Sequence, residues 1–121
     1  MLFRSVVNFT FNATGTGEFA YVANQNSNNV SAYSVDTTTG ALTAIAGSPF
    51  AAGANPSGIA FDYFGTEQFA YVVNTGSNNV SAYAVNTTTG ALTAMAGSPF
   101  ATGANPYSIT LPIDSFNPWA Y

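Results

Sequence analysis

Few side chains in this sequence can transfer a proton. His, Cys and Lys are absent, and Arg4 is the single cationic residue. General acid–base chemistry would therefore fall to tyrosines or to the five carboxylates, which are Glu18, Asp36, Asp62, Glu67 and Asp114. Asp62 and Glu67 could form a carboxylate pair of the kind that hydrolyses glycosides, but they flank a stretch typical of a turn, where acids are common. Serines and threonines lack a base to activate them. The sequence thus predicts no catalytic residue and no cofactor.

One loop has a weak likeness to a calcium site. Asp36 begins the stretch Asp-Thr-Thr-Thr-Gly, which ends at Gly40, and the stretch contains no alternating acids and no terminal Glu. An almost identical stretch starts at Asn86, where the acid is replaced by an amide. We therefore interpret both stretches as hairpin loops and predict no metal site.

The overall charge excludes several classes of partner. The net charge is −4, and charged residues make up 5% of the chain, against about 25% in typical soluble domains. Binding to phosphate backbones or anionic membrane surfaces requires clustered Lys and Arg. We therefore predict neither a nucleic-acid partner nor membrane insertion, and no apolar run reaches the ~18 residues of a membrane helix. The start of the sequence lacks a signal peptide, so an exported protein would have its signal outside these residues.

The chain contains a tandem repeat with an offset of 50 residues. Positions 19–60 and 69–110 are identical at 32 of 42 places. Each repeat contains short segments in which β-branched and aromatic residues dominate, separated by Asn, Ser and Gly, which predicts strands joined by tight turns. A long connection rich in Pro and Gly, from Gly47 to Pro56, leads from the last strand of one unit to the next.

This pattern predicts an all-β fold of two four-stranded antiparallel propeller blades with a partial third. Both faces of the strands carry apolar or small residues, which favours blades covered on both sides. We place blade one at about 6–46, blade two at about 57–96, and a partial inner strand with an aromatic tail at about 107–121, all in one domain. A β-sandwich and a stacked β-solenoid are the alternatives.

The repeated motifs also resemble a known family. Phe-Ala-Tyr-Val from Phe19, Ser-Asn-Asn-Val-Ser-Ala-Tyr from Ser27, Thr-Gly-Ala-Leu-Thr from Thr39 and Gly-Ser-Pro-Phe from Gly47 recur one repeat later. They resemble the YVTN-type repeat of bacterial lactonase-like (6-phosphogluconolactonase-like) β-propellers. The resemblance implies seven blades in a complete ring, so two blades would need partners. No catalytic residue of that family can be transferred to a position here.

Aromatic residues are the candidates for an assembly or binding surface. The four repeated tyrosines, Tyr21, Tyr33, Tyr71 and Tyr83, are better explained by packing between blades than by a binding platform. A free end is normally polar, and an aromatic one needs a surface to cover. The tentative surface consists of Tyr107, Ile109, Phe116, Trp119 and Tyr121.

Our main functional prediction from the sequence is a non-catalytic, self-associating structural or binding module. Its partners would be copies of itself, in a ring or a filament, or the missing blades of a longer propeller. We expect it outside the cytoplasm, at a bacterial-type cell surface or in the extracellular space. The alternative is a fragment or subunit of a lactonase-like hydrolase.

Overall fold

A computed structural model describes residues 5–11, 18–64 and 67–111. These residues form two antiparallel β-sheets of five strands each and no helix, so the predicted all-β class is confirmed. No helix in this part of the chain could therefore cross a membrane. The first sheet, blade one, contains β1 (Ser5–Phe11), β2 (Glu18–Asn24), β3 (Asn29–Val35), β4 (Leu42–Ala44) and β5 (Phe50–Ala51). The second, blade two, contains β6 (Pro56–Phe64), β7 (Glu67–Asn74), β8 (Asn79–Val85), β9 (Leu92–Ala94) and β10 (Phe100–Ala101).

The outer edge of each blade is one strand in two pieces. In blade one, β1, β2 and β3 pair in sequence, and both β4 and β5 pair with the free edge of β3. Between the two pieces the Ser48 hydroxyl accepts a hydrogen bond from the Ala32 amide at 2.9 Å, and the Ile45 amide donates to the Ala32 carbonyl O. A serine thus replaces a strand partner at the interruption. The short strands β5 and β10 thus belong to the two sheets.

The predicted hairpin loops form through side-chain oxygens. Asp36 Oδ1 accepts hydrogen bonds from the Thr38 and Thr39 amides at 2.8 and 3.2 Å. These two bonds hold the pKa of the Asp36 carboxyl below its usual value. Asn86 Oδ1 makes the equivalent bonds in blade two, at 2.9 and 3.1 Å. The Asn86 amide oxygen accepts the same two hydrogen bonds as the Asp36 carboxylate, so the loop requires an acceptor oxygen and not a negative charge.

The two blades pack face to face, with the inner strands β1 and β6 in contact. One buried cluster runs through both blades, with Tyr21 and Val30 of blade one joined to Val72 and Tyr83 of blade two. The chain passes from blade one to blade two through residues 51–56, which we call the crossing segment. This segment runs from the outer edge of blade one to the inner strand of blade two, as the sequence predicts.

Beyond β10 the chain lies against the inner part of blade two. The Pro106 carbonyl O accepts a hydrogen bond from Thr75 Oγ1 at 2.7 Å, and the Tyr107 carbonyl O accepts one from Ser57 Oγ at 3.4 Å. Residues 107–111 form no strand among the described residues. A strand here needs a neighbouring strand to pair with, so the partial third blade stays a prediction.

Candidate functional site

The tandem repeat allows a direct comparison of identical residues in different surroundings. Leu92 of blade two is 6% exposed, whereas Leu42, the same residue one repeat earlier, is 51% exposed. Val85 is likewise buried, and its counterpart Val35 is only half-buried. The difference arises because blade one covers this face of blade two, while no described residue covers the same face of blade one. We call this face of blade one, with Val35, Gly40 and Leu42, the receiving face.

The side of blade one that covers blade two carries an aromatic pair on β2. Phe19 and Tyr21 point to the same side of the sheet, since they lie two residues apart on one strand. The Tyr21 hydroxyl donates a buried hydrogen bond of 2.7 Å to the carbonyl O of Gly90. Phe19 lies over the same glycine, because a Cβ built on Gly90 would be 2.7 Å from Phe19 Cδ1. Gly90 must therefore lack a side chain for the blades to approach this closely.

Burial keeps the Tyr21 hydroxyl protonated. Removal of the phenol from water raises the Tyr21 pKa well above its usual value, and nearby Tyr63 raises it further. The ring also packs on Phe61 of β6, with centroids 5.0 Å apart and a tilt of 48°. A protonated hydroxyl is the required donor to the Gly90 carbonyl, so Tyr21 is a packing residue and not a proton-transfer group.

The crossing segment provides the second set of contacts between the blades. The Tyr83 hydroxyl donates to the Ala51 carbonyl O at 2.6 Å, and Asn74 Oδ1 accepts from the Gly53 amide at 3.1 Å. Asn74 Nδ2 in turn donates to Asn79 Oδ1 and to Ser81 Oγ, both at 2.9 Å. Asn74 is fully buried, and these bonds satisfy it. The packing interpretation of the repeated tyrosines is therefore confirmed for Tyr21 and Tyr83.

The receiving face of blade one forms an open hollow of about 460 Å³. Its apolar wall is formed by Val35 and Leu42. Acidic and polar groups stand at its rim, and the lining residues are Glu18, Val35, Asp36, Thr37, Gly40 and Leu42. The described part of the chain contains no group of His, Cys, Asp or Glu able to hold a metal ion.

The predicted aromatic surface is only partly within the described residues. Tyr107 is 62% exposed, and Ile109 is half-buried. Phe116, Trp119 and Tyr121 lie outside the described residues, so the role of the tail stays a prediction. The sequence predicted Gly40 only as the end of a hairpin loop and did not indicate Gly90 or Asn74 as contact residues, because each looks like an ordinary turn or strand-end residue. Repetition of Thr-Thr-Thr-Gly and of Asn at a fixed offset is the only signal that could have indicated them.

Part of the chain matches a known protein family. Residues 9–57 match the family model described as lactonase, seven-bladed β-propeller. No curated protein matches the chain. Among solved structures, the periplasmic gluconolactonase of Pseudomonas aeruginosa is similar at 20% identity, with a TM-score of 0.67 over 89% of this chain. A putative 6-phosphogluconolactonase from Bacteroides fragilis gives a TM-score of 0.63 over 84% of this chain, also at 20% identity. A protein from Lactobacillus plantarum gives 0.65 over 87%, at 23% identity.

The chain spans about a quarter to three-tenths of those structures: 28% of the Pseudomonas protein, 26% of the Bacteroides protein and 29% of the Lactobacillus protein.

These matches show that the main functional prediction, a non-catalytic self-associating module, is wrong, because the matched family supports the lactonase-like alternative. The error came from treating low charge as a sign of assembly. The structure gives another reason for low charge, since the facing sides of the two blades are buried against each other. Over residues 9–57 the chain matches the lactonase family of seven-bladed β-propellers, and the described residues have the fold of an incomplete propeller of this kind.

Proposed function

We propose that this chain is a two-blade segment of a lactonase-like hydrolase whose active site forms only in a complete ring. The observation that supports this most strongly is the match of residues 9–57 to the lactonase propeller family. The arrangement of the blades agrees with it, because β1 and β6 lie side by side as the inner strands of adjacent blades do.

The chemistry of lactone hydrolysis explains why two blades are insufficient. Attack of water on the ring carbonyl needs a base, and the developing oxyanion needs hydrogen-bond donors or a cation. Asp62 is the only acid on either inner strand. Its carboxylate accepts a hydrogen bond from the Tyr63 amide at 2.9 Å. Burial raises the pKa of the nearby Tyr71 phenol, and the negative charge of Asp62 raises that pKa further. No cation lies near it among the described residues. Further blades must supply the remaining groups.

The similar structures support a sugar lactone as the substrate class. One is a gluconolactonase and another a putative 6-phosphogluconolactonase. A phosphate is held best by Arg or Lys, and this chain contains Arg4 alone. These two blades thus contribute amides and hydroxyls, which suit the hydroxyl groups of an unphosphorylated sugar lactone. Any phosphate-binding cations would have to come from other blades.

The test is hydrolysis of gluconolactone, followed as acid release at constant pH. Residues 6–105 would replace two adjacent blades of the Pseudomonas gluconolactonase, with the ring lacking those two blades as the control. We expect a folded chimera to exceed the spontaneous rate and the 121-residue chain alone to stay at it. A folded, monomeric chimera that stays at the spontaneous rate would contradict the proposal. A rate above spontaneous for the chain alone would contradict the need for a complete ring.

A further inference from the structure

The two repeats differ mainly at one corner of the blade. Ten of the 42 compared positions are different, and six of these ten fall within residues 23–26 and 57–60 or their counterparts one repeat later. The two stretches are far apart in sequence but adjacent in blade two, because β6 starts at Pro56 beside Asn74, the last residue of β7. The other 34 positions differ at four places only. The variation is thus concentrated where the inner strand begins.

Blade two has a β-bulge at this corner, and blade one does not. In blade two Pro56 pairs with Asn74 and Gly58 pairs with Val73. Ser57 is therefore an extra residue between two regular pairs. In blade one, β1 pairs with β2 without such a shift. A bulge changes the direction of a side chain, and bulges are frequent beside active sites. The bulge thus gives Ser57 a direction that regular pairing would not give it.

Two hydroxyl groups form a directed chain of hydrogen bonds at the same corner. Thr75 Oγ1 donates to the Pro106 carbonyl O at 2.7 Å, and Ser57 Oγ lies 2.7 Å from Thr75 Oγ1. A hydroxyl has one proton, so Ser57 is the donor to Thr75. The Tyr107 carbonyl O, 3.4 Å from Ser57 Oγ, is a more distant acceptor. The Ser57 oxygen accepts no hydrogen bond from the described residues, and donation of its proton strengthens it as an acceptor.

The next segment of the chain brings further hydroxyl groups to this corner. Tyr107 and Ser108 stand one repeat after Ser57 and Gly58, so the changes add an aromatic phenol and a hydroxyl. The backbone of this segment lies close, since a Cβ on Gly58 would be 3.8 Å from the Tyr107 carbonyl O. We call Ser57, Thr75, Tyr107 and Ser108 the hydroxyl corner. None of its side chains is charged at neutral pH, so its chemistry suits a neutral ligand rich in hydroxyl groups.

We propose that the hydroxyl corner binds the hydroxyl groups of the sugar lactone and thereby determines which lactones are hydrolysed. The inference rests on the proposed function. Inner strands surround the central channel of a propeller, so the start of β6 lies at one end of that channel. In this arrangement the Ser57 oxygen accepts a hydrogen bond from a sugar hydroxyl, and the Tyr107 ring packs on the C–H face of the sugar. A site built on such bonds rejects an analogue without hydroxyls, because its own polar groups are then unpaired.

The test is the binding of two neutral lactams to the 121-residue chain, followed through backbone amide shifts in NMR spectra. Gluconolactam keeps the hydroxyl groups of gluconolactone and resists hydrolysis. Valerolactam has the same ring without hydroxyl groups. We expect gluconolactam to shift the amides of Ser57, Thr75 and residues 107–108, and we expect valerolactam to shift none of them.

Two variants and one matched control connect the shifts to the hydroxyl groups. Ser57→Ala removes the acceptor and should weaken gluconolactam binding about two- to tenfold, the effect of one hydrogen bond. Thr75→Val keeps the shape but breaks the chain of bonds, and it should weaken binding by a smaller factor. The control is Ser34→Ala, which removes a hydroxyl bonded to the Thr43 carbonyl O and introduces the residue that blade two has as Ala84. It should leave binding unchanged.

Equal shifts with the two lactams would overturn the proposal, as would the absence of shifts at the hydroxyl corner up to the solubility of gluconolactam. An equal loss of binding in Ser34→Ala and Ser57→Ala would also overturn it. The readout requires no hydrolysis. Gluconolactam bound at the hydroxyl corner together with a chimera that stays at the spontaneous rate would contradict only the proposed function. An active chimera whose KM for gluconolactone is unchanged by Ser57→Ala would contradict only the role of the hydroxyl corner.

Discussion

Replacement of Gly90 by alanine is the most direct test of the contact between the blades, because Gly40 provides a matched control. Both glycines adopt the left-handed conformation, at φ of +81° and +80°. An alanine there costs about 1–2 kcal/mol at either site. Only at Gly90 does the new methyl meet a neighbour, since its Cβ would be 2.7 Å from Cδ1 and 2.9 Å from Cε1 of Phe19. The Phe19 ring is 6% exposed and has little room to move. Such overpacking costs about 1–3 kcal/mol more.

We therefore expect Gly90→Ala to lose about 1–3 kcal/mol more free energy of unfolding than Gly40→Ala. The measurement is urea unfolding followed by circular dichroism, with the denaturant slope checked to be equal in both variants. Phe19→Leu, which shortens the side chain over the glycine, should recover part of the loss in the Gly90→Ala background and none in the Gly40→Ala background. Equal losses at the two glycines would refute the reasoning, because they would show that Phe19 does not cover Gly90.

Three other matched pairs test the remaining contacts. Tyr21→Phe removes the buried hydroxyl donor and should lower the free energy of unfolding by about 1–2 kcal/mol, whereas Tyr71→Phe, at the same position of blade two, should change it by less than about 0.5 kcal/mol in the same urea titration. Asn74→Ala removes the hydrogen-bond partner of the Gly53 amide, Asn79 Oδ1 and Ser81 Oγ. It should lower the free energy of unfolding by at least about 2 kcal/mol. Asn24→Ala should cost clearly less free energy of unfolding, since Asn24 is only half-buried and donates to Asn29 and Ser31, whereas the fully buried Asn74 also accepts a hydrogen bond from the Gly53 amide. Similar losses would contradict the role of Asn74. The Asp36 pKa is lowered in the folded state, so its contribution to stability is present above the unfolded pKa of about 3.9 and disappears as the pH falls. Asp36→Asn should keep the loop and reduce the change in melting temperature between about pH 5 and about pH 3, the range in which a carboxyl titrates. An unchanged slope of melting temperature against pH would contradict this.

The local structure could be predicted because each element depends on its own residues. Alternation of side chains predicted β2, β3, β7 and β8, and Asn, Asp and Gly at fixed places predicted the turns. Asn28 has a φ of 60°, as an asparagine in such a turn can have. The interruption between β4 and β5 was not predicted, because it depends on the Ser48 hydroxyl reaching the Ala32 amide sixteen residues away. A pattern of apolar and polar residues carries no information about that bond.

The functional interpretation failed for a related reason. A low content of charge is compatible with an aggregating surface and with a surface that a neighbouring blade covers, and composition does not distinguish them. The resemblance carried by the repeated motifs was the better guide, since it depends on the order of residues. The candidate surface in the tail was inferred from aromatic content alone, and it stays a prediction.

By itself the sequence determined that one sheet would form twice, because near-identical residues at an offset of 50 make the same strands and the same turns. Only the tertiary structure decided which surfaces are covered. Leu42 and Leu92 have the same neighbours along the chain, yet one is 51% exposed and the other 6%. Burial depends on what lies across the interface, and for Leu92 that is the other blade, which carries Phe19 and Tyr21 some seventy residues earlier in the chain. Two near-identical repeats can therefore have the same fold and different surroundings, one in a completed contact and the other with a face that no described residue covers.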